Sequence, residues 1–165
     1  INTFPDSPTY GKPISYPNES QVFSILKLEN GIAGTLSING DSTIQDQAHF
    51  MIYGKKGILK LTDPNTFGGN VIYLPAQKDF EDHPTPQILN YGFSYGENSR
   101  GLGPSEMADA IFEKRENRAN AELAVHVLDV IDHMVESSEK GAFVQVTSTC
   151  KRPEPMPSYV RRNLF

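Results

Sequence analysis

The 165-residue sequence has one cysteine and no tryptophan. A lone thiol, Cys150, closes no disulfide within the chain, and structural zinc ribbons need paired Cys-x-x-Cys elements. The composition therefore speaks against a disulfide framework and against structural zinc, and for a reducing, cytoplasmic setting. Positive charge is also scarce, with 15 Lys and Arg against 20 Asp and Glu for a net charge of −5. Binding to a phosphate backbone rests on clustered Lys and Arg, so no nucleic-acid partner is expected. Long apolar runs are missing too: no window approaches the roughly 18 residues that a membrane-spanning helix needs, which predicts a soluble protein. The N-terminal stretch Ile1-Asn2-Thr3-Phe4-Pro5 has no initiating Met, basic region or apolar core of a signal peptide. It reads as cut from something longer.

What the chain does have is enough apolar matter for a core. Hydrophobic residues make up 38%, and a chain of this size buries roughly 70% of its unfolded surface on folding. Residues 1–165 read as one domain. Four prolines, Pro5, Pro8, Pro13 and Pro17, mark residues 1–19 as an extended, poorly paired leader. Strands are then predicted at about 21–28 and 32–38, joined at Asn30-Gly31, which suits a two-residue type I′ turn. Further strands follow at 47–53 and 58–61 around Gly54-Lys55-Lys56-Gly57, at 70–74, and near 88–91 within a long Pro- and Gly-rich loop over 75–103. Hairpin linkage implies an antiparallel meander of at least five strands.

The last third changes to a helical period. Pro104 suits a helix start, with Glu106 favouring the positive end and Met107, Ala108, Ile111 and Phe112 on one face over about 104–114. Asn120 reads as the N-cap of a second helix closed by Gly141, with Leu123, Val127, Val130, Ile131 and Met134 as its apolar stripe. Residues 143–147 alternate like a strand. The fold class is thus α+β, a large open, mostly antiparallel β-sheet with helices packed on one face.

The chemistry-bearing residues form no self-sufficient active site. Gly101-Leu102-Gly103-Pro104 precedes a helix but lacks the third glycine, the buried strand and the lysine of a phosphate loop. His126, Asp129 and His133 share one helix flank at spacings suited to a metal, yet no third-ligand motif accompanies them, and a partly solvated helix edge is the favoured reading. His49 and His83 have no neighbouring nucleophile. Cys150 stands near Lys151 and Arg152, which lower thiol pKa in principle, but reads as structural. Asn18-Glu19-Ser20 matches a glycosylation acceptor that the expected compartment disfavours. No catalytic or metal residues are assigned.

Five segments carry a resemblance in order: 28–34 (LENGIAG), 52–61 (IYGKKGILKL) with 63–69 (DPNTFGG), 99–103 (SRGLG), 117–128 (NRANAELAVHVL) and 136–141 (ESSEKG). Together they resemble the C-terminal domain of the Gfo/Idh/MocA family of NAD(P)-dependent sugar and cyclitol oxidoreductases, over nearly the whole chain. The resemblance implies a sheet whose second face packs on another subunit, hence a homodimer or homotetramer. It implies NAD or NADP in the full-length protein, none bound to this stretch, and a small sugar or polyol substrate oxidised or reduced by hydride transfer. Members carry a Gly-rich Rossmann turn, a Glu-Lys-Pro motif and an Asp-x-x-x-His element ahead of the sheet strands, and none precedes the strands here. The chain is therefore expected to line a substrate pocket without running the reaction. Substrate-binding positions carried over by the resemblance are Asp46, with apolar Ile44 beside it, and Arg100, whose fork suits a carboxylate or polyol. The alternative reading is a non-catalytic carbohydrate-binding or assembly module.

Overall fold

Alternating bulky and small side chains over residues 21–39 build the first hairpin. β1 (Gln21–Lys27) and β2 (Ala33–Asn39) run antiparallel, with Phe23 opposite Ser37, Ile25 opposite Thr35 and Val22 opposite Ile38. Its reversal is not the type I′ turn expected. The Leu28 N–H donates to the Ile32 carbonyl at 2.8 Å and the Gly31 N–H to the Leu28 carbonyl at 2.9 Å, so Glu29, Asn30 and Gly31 all lie in the loop. Within the loop only Gly31 takes a positive φ, 84°. Asn30 stays out of that region and its Oδ1 accepts from the Ile32 N–H at 3.1 Å, giving the three-residue loop in which a type I turn ends in a glycine bulge.

The computed structural model describes residues 1–15, 19–40, 42, 50–89 and 99–156. The chain divides into two compact units, Ile1–Gln45 and Asp46–Phe165. In the first unit residues 1–15 of the leader are folded back rather than extended. Asn2 and the stretch at Gly11 and Lys12 exchange backbone hydrogen bonds of 2.9 Å, and the Asn2 Nδ2 donates to the hydroxyls of Ser7 at 2.6 Å and Thr9 at 2.7 Å. A buried asparagine whose amide finds two hydroxyls within reach organises what the prolines alone suggested was open chain.

The second unit opens with a four-stranded antiparallel meander in the order β3 (Phe50–Gly54), β4 (Gly57–Leu61), β5 (Val71–Pro75) and β6 (Gln87–Leu89). Gly57, at φ 144°, makes the β3–β4 reversal possible, because a Cβ there would sit 2.2 Å from the Leu74 carbonyl oxygen. The Lys56 carbonyl accepts from the Tyr73 hydroxyl at 2.6 Å and from the Ala76 N–H at 2.9 Å, pinning that turn to β5. The expected single large sheet is corrected: the described strands form separate two- and four-stranded ladders. The Gly40 N–H closes the first ladder on the Ser20 carbonyl at 2.7 Å. The α+β class stands, with smaller sheets.

α1 (Leu102–Glu113) begins two residues ahead of Pro104, which lies in the first turn, where a missing N–H costs nothing. α2 (Ala121–Lys140) is capped as its sequence implies, the Asn120 Oδ1 accepting from the Leu123 N–H at 2.9 Å and Gly141 adopting the left-handed conformation at its end. The covered faces differ from those expected. On α1 the buried residues are Leu102, Glu106 and Ala110, while Met107, Ile111 and Phe112 are exposed. On α2 the better-covered flank carries Leu123, His126, Val130, His133 and Met134, while Val127 and Ile131 are exposed.

Glu106 explains the inversion on α1. It stands in the second turn, too far along to serve the helix N-terminus, and its carboxylate takes Arg115 bidentately, Nη1 to Oε1 at 2.7 Å and Nη2 to Oε2 at 2.8 Å. Arg118 adds Nη1 to Oε2 at 2.8 Å and its backbone N–H to Oε1 at 3.2 Å. Four donors on one carboxylate draw that side of α1 under the connection to α2. Beyond Gly141 the chain turns back: the Ser137 hydroxyl donates to the Ala142 carbonyl at 2.7 Å, Ser148 meets His126, and the Arg118 Nε donates to the Glu154 carbonyl at 2.9 Å. Residues 142–154 thus run beside α2 in the opposite direction. The strand expected at 143–147 is absent because this extended stretch lies along a helix and joins no ladder, although its alternation survives as half-buried Val144, Val146, Ser148 and Cys150.

Bonding to Arg115, reinforced by Arg118 against the opposing effect of burial, lowers the Glu106 pKa from 4.5 to about 2. A group so depressed stabilises the fold above its unfolded pKa and loses that contribution as pH falls from 4.5 toward 2. Glu106→Gln is expected to cost about 2 kcal/mol at pH 7, the scale of hydrogen bonds to a charged group. In urea melts the gap between the two proteins should narrow steadily below pH 4.5; a gap independent of pH would show that the charge does not hold the turn.

Candidate functional site

The β4–β5 connection is a braced polar turn. The Asp63 side chain accepts from the Asn65 N–H at 2.8 Å and its carbonyl from the Thr66 N–H at 3.0 Å, while the Thr66 hydroxyl lies 2.9 Å from the same carbonyl. This Asx-type turn makes Asp63, Pro64 and Asn65 a defined projection rather than a loose tip. Toward it comes Arg100, in the turn that leads into α1, where the Leu102 N–H donates to the Ser99 carbonyl at 2.9 Å. The Arg100 Nη2 donates to the Asn65 Oδ1 at 3.0 Å, across 35 positions of sequence. Two of the five segments carrying the family resemblance, 63–69 and 99–103, therefore meet through side chains.

Arg100 is exposed and makes no ion pair among the described residues. Asp46, the other substrate-binding position carried over, lies outside the described residues, as do Ile44 and His49. Asn65 joins the site through its contact with Arg100 alone. Its signal was the Asp-Pro-Asn-Thr string, which reports the turn but not the partner waiting 35 residues on.

The glycines before α1 do not form a nucleotide cradle. A Cβ on Gly101 or Gly103 would meet no described atom within 4 Å, and Glu106 stands where a dinucleotide fingerprint needs its third glycine for close helix packing. The residues here do not fit a nicotinamide dinucleotide.

His126, Asp129 and His133 sit together on the covered flank of α2 and hold a different partner from a metal. The His126 Nδ1 lies 2.8 Å from the Ser148 hydroxyl, and the His133 Nδ1 faces Asp129, 2.7 Å from its carbonyl and 3.2 Å from Oδ1. Bonding from the Ser148 hydroxyl, helped by the charges of the two histidines, holds the Asp129 carboxyl below its ordinary range. Among the described hydrogen bonds His126 has no second partner that orients it, so Ser148 and His126 do not complete a nucleophile, base and orienter set. No group of three or more His, Cys, Asp or Glu among the described residues is arranged to hold a metal. The partly solvated helix edge also serves as a docking seam, which the sequence hid because Ser148 comes from a returning segment read as a strand. Cys150, free and half-buried on the same segment, has no acid or base partner among the described hydrogen bonds.

A family model described as the oxidoreductase family, C-terminal alpha/beta domain, matches residues 3–146. No curated protein and no solved structure matches significantly.

Ser148→Ala removes the hydroxyl that His126 and Asp129 share. Amide exchange over 143–150 is expected to quicken by about fivefold, the effect of one lost hydrogen bond, while exchange in the middle of the β3–β6 sheet stays unchanged. The Asp129 carboxyl should return upward toward its ordinary pKa in a carbon-detected titration. Unaltered exchange would mean that the seam does not hold the segment.

Proposed function

Because the chain belongs to the C-terminal alpha/beta domains of this oxidoreductase family, matched over residues 3–146, we propose that it is the substrate-facing and oligomerising part of an NAD- or NADP-dependent oxidoreductase. The reaction is hydride transfer at a carbon of a sugar, inositol or related polyol. The observation that supports this most directly is the Arg100–Asn65 contact, which puts a cationic fork at the meeting point of two segments typical of the family. The nucleotide and the acid/base pair belong, in this reading, to another part of the protein, since the residues described here fit neither. The free Cys150 agrees with a reducing, cytoplasmic setting, and no helix among the described residues is long and apolar enough to cross a membrane.

Self-association follows from the sheets. In the four-stranded sheet one face carries Phe50, Ile52, Leu59 and Leu61, and the other Met51, Tyr53, Ile58 and Ile72. Phe50, Ile52, Tyr53 and Ile88 are all exposed, as are Phe23 and Ile25 on β1. Apolar surface of this extent is ordinarily covered by protein, and a second copy is the economical cover in a homodimer or homotetramer.

The full protein should reduce NAD or NADP with at least one member of a panel of sugars and inositols, bind the nucleotide in calorimetry, and scatter light as a dimer or larger at micromolar concentration. Arg100→Ala should lower kcat/KM by about tenfold or more with the melting temperature nearly unchanged. Absence of nucleotide binding would leave the non-catalytic carbohydrate-binding or assembly module as the reading to pursue.

A further inference from the structure

We propose that Arg100 is an anion subsite and Asn65 the residue that positions it, so that the substrate is a carboxylate-bearing sugar or polyol; the inference rests on the substrate-facing reading above.

The chain holds its arginines in different ways. Arg115 and Arg118 both converge on the carboxylate of Glu106 at 2.7 and 2.8 Å, which spends their charge inside the protein. Arg100 is held differently. Its Nη2 donates to an amide oxygen, which fixes the side chain without neutralising it. Asp63 stands two residues from Asn65, yet its carboxylate is taken up by the Asn65 N–H at 2.8 Å rather than by the guanidinium.

With Asp at 65 the contact would become an ion pair, and the charge of the guanidinium would be spent on it. Asparagine keeps the same shape and reach while leaving the full positive charge outward. Bonds from Asp63 and Thr66 brace the backbone that carries Asn65, and the Asn65 Oδ1 accepts from the fork. A guanidinium has five N–H donors in one plane, and two parallel donors match the two oxygens of a carboxylate. One exposed cation balances one negative charge, which favours a carboxylate over a phosphate dianion.

The test uses the full protein saturated with nucleotide, and two ligand pairs: D-glucuronate against its methyl ester, and D-galacturonate against its methyl ester. Each pair keeps the sugar and removes the charge. At least one acid is expected to bind about tenfold more tightly than its ester, with the preference shrinking as salt is raised. Arg100→Gln should abolish the preference, and Arg100→Lys should retain part of it. Asn65→Asp is the decisive variant: it should hold the melting temperature or raise it, while cutting acid binding about tenfold and leaving ester binding alone. A purely structural Asn65 would show no such split. Equal binding of acids and esters overturns the inference while leaving the substrate-facing reading in place. If no sugar in the panel of sugars and inositols binds, that reading falls and the inference with it.

Discussion

The carboxylate of Glu106 is the point on which the helical part of the molecule depends. Lying under the α1–α2 connection, it accepts from Arg115 twice and from Arg118 through both side chain and backbone. Arg118 in turn reaches the Glu154 carbonyl, so one anion fixes the end of α1, the approach to α2 and the returning segment. The end of α1 needs such help, because Lys114 adopts a left-handed φ of 53°, where a side chain is disfavoured by roughly 1–2 kcal/mol. Burying a charge is costly unless its bonds are complete. Here four donors complete them, and the depressed acidity of Glu106 is the sign that they do.

That same anion explains where the sequence was legible and where it was not. Strands 50–54, 57–61 and 71–75 were readable because alternation and turn residues act locally, as were the Asn120 cap and the Gly141 stop. The buried faces of the helices were not. Periodicity assigned the interior of α1 to Met107, Ile111 and Phe112, whereas a polar network of long sequence separation turned Leu102, Glu106 and Ala110 inward. On α2 the flank of His126, Asp129 and His133 was visible as a cluster. Its partner was invisible, since nothing local to Ser148 announces that it will lie beside a helix 22 residues earlier.

The candidate site shows the same division. Each half of it was readable as a motif: the turn at 63–69 from its Asp-Pro-Asn string, and Arg100 from its place before α1. Their contact, 35 residues apart, is a tertiary fact. Hydrogen bonding of a cation to a neutral amide rather than to a carboxylate is equally silent in composition, because Asn and Asp are near-identical in size and turn preference. Only the geometry shows that Arg115 and Arg118 bond a carboxylate that holds structure while the exposed Arg100 bonds an amide.

Both helices thus cover a mixed flank fastened by polar contacts and leave apolar side chains open, and the four-stranded sheet is apolar on two faces. A polar flank is specific: its bonds have direction, so Glu106 and Ser148 each admit one docking geometry. An apolar flank is permissive, since burial rewards area with little regard for angle. Fastened internally through directed bonds, the described residues hold their own turns in place while an undirected apolar surface stays open. The Arg100 turn gains from this arrangement, because the residues that aim it, Asp63, Asn65 and Thr66, are bonded within one loop and do not depend on what covers the sheet.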